Sequence, residues 1–364
     1  MKARAAVLRG GHDPFSIEEL TVDEPQAGEV AIRMVATGMC HTDVLARELP
    51  AEYFRGPLVH GHEGAGVVEA VGDGVTHVEP GDHVVLSFNH CGSCRACDQD
   101  RVAYCFDFRR VNTSGGRSDG SRAFTTESGE AVGSHFFGQS SFSSHTIASA
   151  NSVVKVDKSY DLARLGPLGC GIQTGAGAVL NTLGVEEGSS LVVAGAGALG
   201  LSAVMAAKVA GAGVIVAIDR HQGRLELATS YGATHTIGPD VESMTKAILE
   251  ATNGGADYAL DCTGAAPVIR ALVNGLHNIG TCALAGVGLG ELIIDQPSMV
   301  SGRRIVGVIE GDSTPAEFIP HLAQLNADGV FPFHELIVEF PLEQINDAEA
   351  ASADGSVVKP VIRF

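Results

Sequence analysis

Four cysteines, Cys91, Cys94, Cys97 and Cys105, fall within fifteen residues at spacings of x2, x2 and x7. Four thiolates on one short loop can close a tetrahedral zinc site without straining the backbone. Such a site has no open position and does structural work. The spacing alone also admits an iron–sulfur cluster, whereas a redox pair or free thiols fit this density poorly. The remaining chemistry is scattered. Cys40 lies in Gly38-Met-Cys-His41-Thr42-Asp43, His62 and Glu63 lie between Gly61 and Gly64, and Cys170 lies between Gly169 and Gly171. Taken singly, each has an ordinary explanation: lone cysteines are mostly small buried hydrophobes, and His62 can be a satisfied core histidine. No spacing rule joins the three.

A third group is glycine-rich. An apolar run, residues 191–194, leads into Gly195-Ala-Gly197-Ala-Leu199-Gly200 and then a helix-like stretch. GxGxxG is a weak signal alone, but strand before and helix after are the context that dinucleotide binding requires. The first glycine makes the tight turn, the second admits the pyrophosphate, and the third packs helix on strand. Helix N-terminal N–H groups then face the phosphates. A second apolar run, residues 214–218, ends at Asp219. A carboxylate there accepts from the adenosine ribose hydroxyls and repels a 2′-phosphate, so NAD is expected over NADP. Arg220, the next residue, tempers this.

These groups need a frame of more than one core. The chain has 364 residues, a length that suggests two domains, and is 45% hydrophobic. Up to about residue 170 it reads as short strands separated by Gly and Pro turns, with strands at 30–35, 66–71 and 83–88. The polar stretch between Cys105 and His135 reads as a long surface loop. From about 172, apolar runs (191–194, 214–218, 258–260, 281–285) alternate with helix-like stretches (199–210, 224–231, 241–252), the pattern of a parallel sheet wound with helices on both faces. The end, residues 357–364, is strand-like again. A net charge of −19 argues against nucleic acid and anionic membranes as partners. Residues 191–207 carry no charge, but their glycines favour strand, turn and helix over a membrane span. Residues 1–10 lack a signal-peptide apolar core, so a soluble, cytoplasmic protein is expected.

Taken together, GMCHTD, GHEGAG, the four-cysteine loop, GCGIQTGAGAV, GAGALG and the terminal VVKPVIRF resemble the zinc-containing medium-chain alcohol dehydrogenases, in order and over essentially the whole chain. Within that family, FFGQSSF (136–142), IEGDS (309–313) and FPF (331–333) resemble the aryl-alcohol (benzyl alcohol) enzymes and relatives acting on allylic terpene alcohols. The resemblance implies an α/β protein: a GroES-like β-rich catalytic domain (1–171 and 311–364) and a Rossmann doubly wound parallel-sheet cofactor domain (172–310). It implies two zinc ions per chain, one structural at the four-cysteine loop and one catalytic at Cys40, His62 and Cys170, with Glu63 beside the metal. Two Cys and one His leave a fourth place for the substrate oxygen, the ligand set known for alcohol dehydrogenase. Asp43 is implied as the partner of His62, and Thr42 as the hydroxyl that takes the substrate proton toward the nicotinamide ribose. His41 and Lys359 are implied at the pyrophosphate, Thr174 at the nicotinamide, and Arg224 with Asp219 near the adenosine ribose.

One position departs from the family. Many members have His where Leu45 stands, so the last step of proton release differs here. Leu45 instead adds an apolar wall to the substrate pocket, with Phe136, Phe137 and Val287, and the small Ser87 leaves room for a ring. An aryl or allylic primary alcohol is therefore expected as substrate. The alternatives are a general aliphatic alcohol dehydrogenase and a thiol-dependent formaldehyde dehydrogenase of the same superfamily, the second disfavoured by the acidic charge. A non-catalytic NAD-sensing protein would be favoured by loss of a catalytic zinc ligand, and none is lost. The long 105–135 segment is shared with dimeric relatives, so a homodimer through the edge strands of the cofactor sheets (283–308) is expected, with a tetramer as the alternative.

Overall fold

The computed structural model describes residues 1–47, 56–288 and 290–364. Two compact units emerge: residues 1–170 with 314–327 and 334–364, and residues 171–313 with 328–333. The return of 328–333 to the second unit has no signature in the sequence.

Among the described residues, the first unit holds two sheets. One runs in the order Val153–Val156, His83–Leu86, Gly64–Val71, Glu29–Gly38, Lys359–Arg363, Ile337–Pro341, with His145–Ser149 also paired to Glu29–Gly38. The other runs Leu58–Val59, Lys2–Leu8, Ser16–Val22, Phe124–Thr126, Ala131–Val132. Alternating apolar residues supply its core, with Leu8, Leu20, Phe124, Phe142 and Ile147 fully buried. The expected strands at 30–35, 66–71 and 83–88 are present, the last ending at Leu86.

The segment between Cys105 and His135 is not the surface loop its polar composition suggests. It contains the helix Phe108–Thr113 and two strands that extend the second sheet. Two of its charged groups find distant partners. Arg117 is buried and meets Glu29 at 2.7 Å and Asp23 at 2.9 Å, and His135 Nε2 lies 3.0 Å from Glu29. Partners about ninety residues away in sequence cannot be read from local composition. Burial alone would push the Glu29 carboxyl up, but hydrogen bonds from His135 and Arg117 outweigh it and hold it at about 2, from an ordinary 4.5. A depressed carboxylate stabilises the fold above its unfolded value, and that stability is lost as pH falls from about 4.5 toward 2. Glu29→Gln should cost roughly 2–3 kcal/mol at neutral pH and flatten the acid limb in that window. Denaturant melts at pH 7 and pH 3 check this, and an unchanged acid limb refutes it.

Among its described residues, the second unit holds a parallel six-stranded sheet in the order His235–Ile237, Val214–Ile218, Ser190–Ala194, Ala256–Asp261, Leu276–Leu284, Arg304–Gly307. Numbered along the chain from Ser190, this is order 3-2-1-4-5-6, the doubly wound arrangement expected. Helices Ala198–Val209 and Gln222–Tyr231 stand where helix-like writing placed them. The third begins only at Met244, because the Ser243 hydroxyl caps it by accepting from Lys246 N. No described helix is long and apolar enough to cross a membrane.

Candidate active site and metal centres

Sheet register explains how distant residues meet. Thr37 pairs with Gly64, and Gly38 N donates to Glu63 O. The chain beyond Gly38, carrying Cys40, therefore runs beside His62 and Glu63. Ala65 pairs with Val85, which brings Ser87 alongside the same loop, and the Ser87 hydroxyl donates to Gly169 O at 2.7 Å. Cys170 follows directly. The ligand atoms of Cys40, His62, Glu63 and Cys170 all lie within 4.8 Å of one another. A Cβ on Gly38 would stand 2.0 Å from Glu63 Oε2, so no larger residue allows this approach.

The side chains fit a metal. Asp43 is buried; its Oδ1 accepts from His62 Nδ1 (2.9 Å) and Gly61 N (3.2 Å), and its Oδ2 from Cys40 N (3.0 Å). One carboxylate thus fixes the His62 tautomer and aligns the Cys40 backbone. His62 Nε2 is buried without a hydrogen-bond partner, as a nitrogen reserved for a metal would be. The Cys40 thiol is held well below its usual range, chiefly by its hydrogen bond with Cys170 and against burial, with His62 assisting. Burial pushes Glu63 up. Burial likewise pulls Lys359 down, but the Glu63 carboxylate outweighs it.

In the four-cysteine loop, Cys91 and Cys97 Sγ are 3.9 Å apart and Cys94 and Cys97 Sγ 3.6 Å. A zinc–sulfur bond of about 2.3 Å gives a tetrahedral edge of about 3.8 Å, so the sulfurs fit one zinc. They are too far apart for a disulfide, and a cluster with several irons between the thiolates would spread them further. Amide N–H groups reach inward: Phe106 N donates to Cys94 Sγ, bringing that thiol down to about 6, and Cys91 N donates to Cys105 Sγ. Burial pushes Cys97 up to about 12, with Cys94 adding to it.

In the second unit the glycine turn follows the central strand Ser190–Ala194. Gly195 has φ +94°, and a Cβ on Gly200 would stand 1.8 Å from Gly195 O, the tight turn and close packing that GxGxxG requires. Gly197 and Leu199 are half-buried at the start of Ala198–Val209. Asp219, at the end of Val214–Ile218, accepts from Ala196 N (2.7 Å) and His221 N (2.8 Å), and Arg224 donates to Ala196 O. Thr174 is buried in the helix Gly171–Gly177 and reaches Glu310 at 3.4 Å.

Three further expected residues have the following surroundings. Lys359, expected at a pyrophosphate, is buried, with Nζ 2.5 Å from Glu63 Oε2 and 3.1 Å from Met39 O. A buried carboxylate requires a cation, and this one is committed to it. Val287, expected in a pocket wall, is 76% exposed on the second unit. Ser87 is fully buried and tied to Gly169. His41 is exposed on the short helix His41–Arg47, where Thr42 and Leu45 are half-buried; Thr42 Oγ1 lies 3.8 Å from Cys40 Sγ. Phe136 and Phe137 are buried, with ring centroids 5.7 and 4.7 Å from that of His62. The same segment carries Gln139, whose Nε2 donates to His62 O; sequence reasoning passed over it, and its place within FFGQSSF was the only available signal.

The fold and the two cysteine-bearing groups define a zinc-type dehydrogenase. Residues 26–158 match the alcohol dehydrogenase GroES-like domain, and residues 198–327 the zinc-binding dehydrogenase family. The chain is 40% identical to the geraniol dehydrogenase of Castellaniella defragrans, covering 100% of this chain and 98% of that one. A solved alcohol dehydrogenase zinc-binding domain protein from Burkholderia ambifaria superposes with a TM-score of 0.97 at 46% identity. The benzyl alcohol dehydrogenase of Acinetobacter calcoaceticus does so at 0.96 and 42%. Both alignments cover 100% of this chain and 99% of the other. The chain belongs to the zinc-containing medium-chain alcohol dehydrogenase family.

Proposed function

We propose that the protein interconverts an aryl or allylic primary alcohol and its aldehyde, with NAD as the hydride carrier. The observation that carries this reading is the Phe136–Phe137 pair packed on the imidazole of His62, an apolar aromatic lining directly behind a metal ligand. Geraniol and benzyl alcohol, named for two relatives, are an allylic and an aryl primary alcohol. Zinc held by Cys40, His62 and Cys170 would supply Lewis acidity toward the alcohol oxygen, and a nicotinamide would accept the hydride. Asp43 keeps the His62 Nε2 lone pair directed at that site. Thr42, beside Cys40, takes the hydroxyl proton. Leu45, an apolar side chain where many family members have His, offers that proton no onward acceptor, so Thr42 is the group of this helix that would hold it. Phe136 and Phe137 exclude water around His62. The four-cysteine loop would hold the second, structural zinc. A panel of benzyl, cinnamyl, geranyl and ethyl alcohols, read as NADH formation, tests the substrate assignment; equal kcat/KM across the four overturns it.

For the cofactor, Asp219 is oriented by two backbone N–H groups, and Arg220 turns its Nε to His221 Nε2 at 3.0 Å. NAD is therefore expected to exceed NADP in kcat/KM by at least about tenfold, the effect of ~1.4 kcal/mol, and Asp219→Gly should narrow the gap. Equal use of both by the native protein refutes this.

A homodimer is the expected assembly. The strand Arg304–Gly307 ends the parallel sheet. Ile279 (79% exposed), Ile293 (60%) and Val300 (77%) stand exposed on the same unit, Ile279 with a left-handed φ of +62°. An open edge with exposed branched apolar residues suits a second copy of the chain. Light scattering that gives a monomer overturns this.

A further inference from the structure

We infer that Gln139 is a positioning residue that sets the spacing of His62 and Cys170 about the metal. This rests on reading Cys40, His62 and Cys170 as the catalytic zinc group. Gln139 is fully buried. Its Nε2 donates to His62 O (2.9 Å) and Ser87 O (3.0 Å), and its Oε1 accepts from Gly64 N (3.1 Å). Ser87 Oγ in turn donates to Gly169 O, in the peptide that leads into Cys170. One amide and one hydroxyl thus connect the backbone of His62 to the turn that presents Cys170. Asp43 performs the corresponding service between Cys40 and His62, so Cys40 is tied to His62, and His62 to the Cys170 turn, by three buried polar side chains: Asp43, Gln139 and Ser87.

The segment carrying Gln139 is itself held in an unusual backbone. Phe137 and Ser140 have φ of +51° and +54°, on either side of Gly138 and Gln139. Left-handed non-glycine residues cost energy and persist where surroundings over-determine them. Here the Ser140 hydroxyl accepts from Phe136 N and donates to Val59 O, and the Thr146 hydroxyl donates to Gln139 O. The same turn aims Phe137 at the His62 ring and Gln139 at the His62 carbonyl. A near-isosteric Leu at 139 would keep the volume and leave two buried carbonyls and one N–H without this partner.

The test uses the zinc-loaded protein and follows transfer of zinc to a chromophoric chelator. Gln139→Leu should release one zinc per chain at least about tenfold faster, with the other leaving at the parent rate. Ser87→Ala should accelerate the same zinc by a smaller factor, about threefold, and it carries the test if the Leu variant does not fold. In protein with cobalt(II) at the catalytic site, the d–d bands should shift in the variant. Parent-like release and spectra in the folded variants overturn the inference. So does equal acceleration of both zincs, which marks a purely structural role. A parent protein that carries only the slowly released zinc overturns the metal reading itself, and this is seen before any variant is made.

Discussion

Cys170→Ser is expected to lower the zinc content from two per chain to one and to reduce kcat by at least about a thousandfold, in a protein that stays folded. Serine differs from cysteine by one atom, so packing at this buried position changes little. Its chemistry changes completely: a hydroxyl does not ionise near neutral pH and is a poor zinc ligand, whereas a thiolate is a strong one. With two ligands left, the ion is lost. Lewis-acid stabilisation contributes several kcal/mol to such reactions, and about 4 kcal/mol is roughly a thousandfold in rate. Cys97→Ser should behave in the opposite way, because its sulfur belongs to a closed group 3.6 Å from Cys94 and 3.9 Å from Cys91. Stability should fall more than chemistry does. Metal analysis beside kcat distinguishes the two variants; near-parent turnover in Cys170→Ser removes that cysteine from the catalytic centre.

Benzyl alcohol should exceed ethanol in kcat/KM by on the order of a hundredfold. A phenyl ring offers on the order of 100 Å² more apolar surface than a methyl group. At about 25 cal/mol per Å², burying it against rings such as Phe136 and Phe137 stabilises the complex by ~2.5 kcal/mol, nearly a hundredfold. Conjugation of the developing carbonyl with the ring lowers the barrier further, and the double bond of an allylic alcohol does the same. Ethanol gains neither. Initial rates at low substrate, in the same buffer and with the same cofactor, measure the ratio directly. A ratio of one or below would make the chain a general aliphatic alcohol dehydrogenase, with Leu45 irrelevant to substrate choice.

Where the chain writes its structure locally, sequence reasoning reached the structure almost residue by residue. The strand Val214–Ile218 and the helix Ala198–Val209 follow from apolar runs bounded by glycine and charge. The four-cysteine loop is equally local, since all its ligands lie within one short stretch. The segment 105–135 was misread for the opposite reason. Its charged and polar residues look solvated, yet Arg117 and His135 are buried because Glu29 waits for both on a distant strand. Burial of a charge depends on its partner, and a partner far along the chain leaves no local trace.

The same division runs through the candidate site. By itself, the sequence determined the repertoire: which thiols, imidazole and carboxylates exist, which four must converge, and where a nucleotide turn stands. It had no rule joining Cys40, His62 and Cys170, and only likeness to a family suggested their meeting. Tertiary structure decided that meeting through the pairing of Glu29–Gly38 with Gly64–Val71, which sets Cys40 beside His62. It also decided which groups serve the ligands. Lys359 turned out to neutralise Glu63, and Gln139, silent in the sequence, lies beneath His62. The reason is physical: a side chain's type is a local property, but its partners are set by sheet register and desolvation, and these act between residues far apart in the chain, from Thr37 and Gly64 to Glu63 and Lys359.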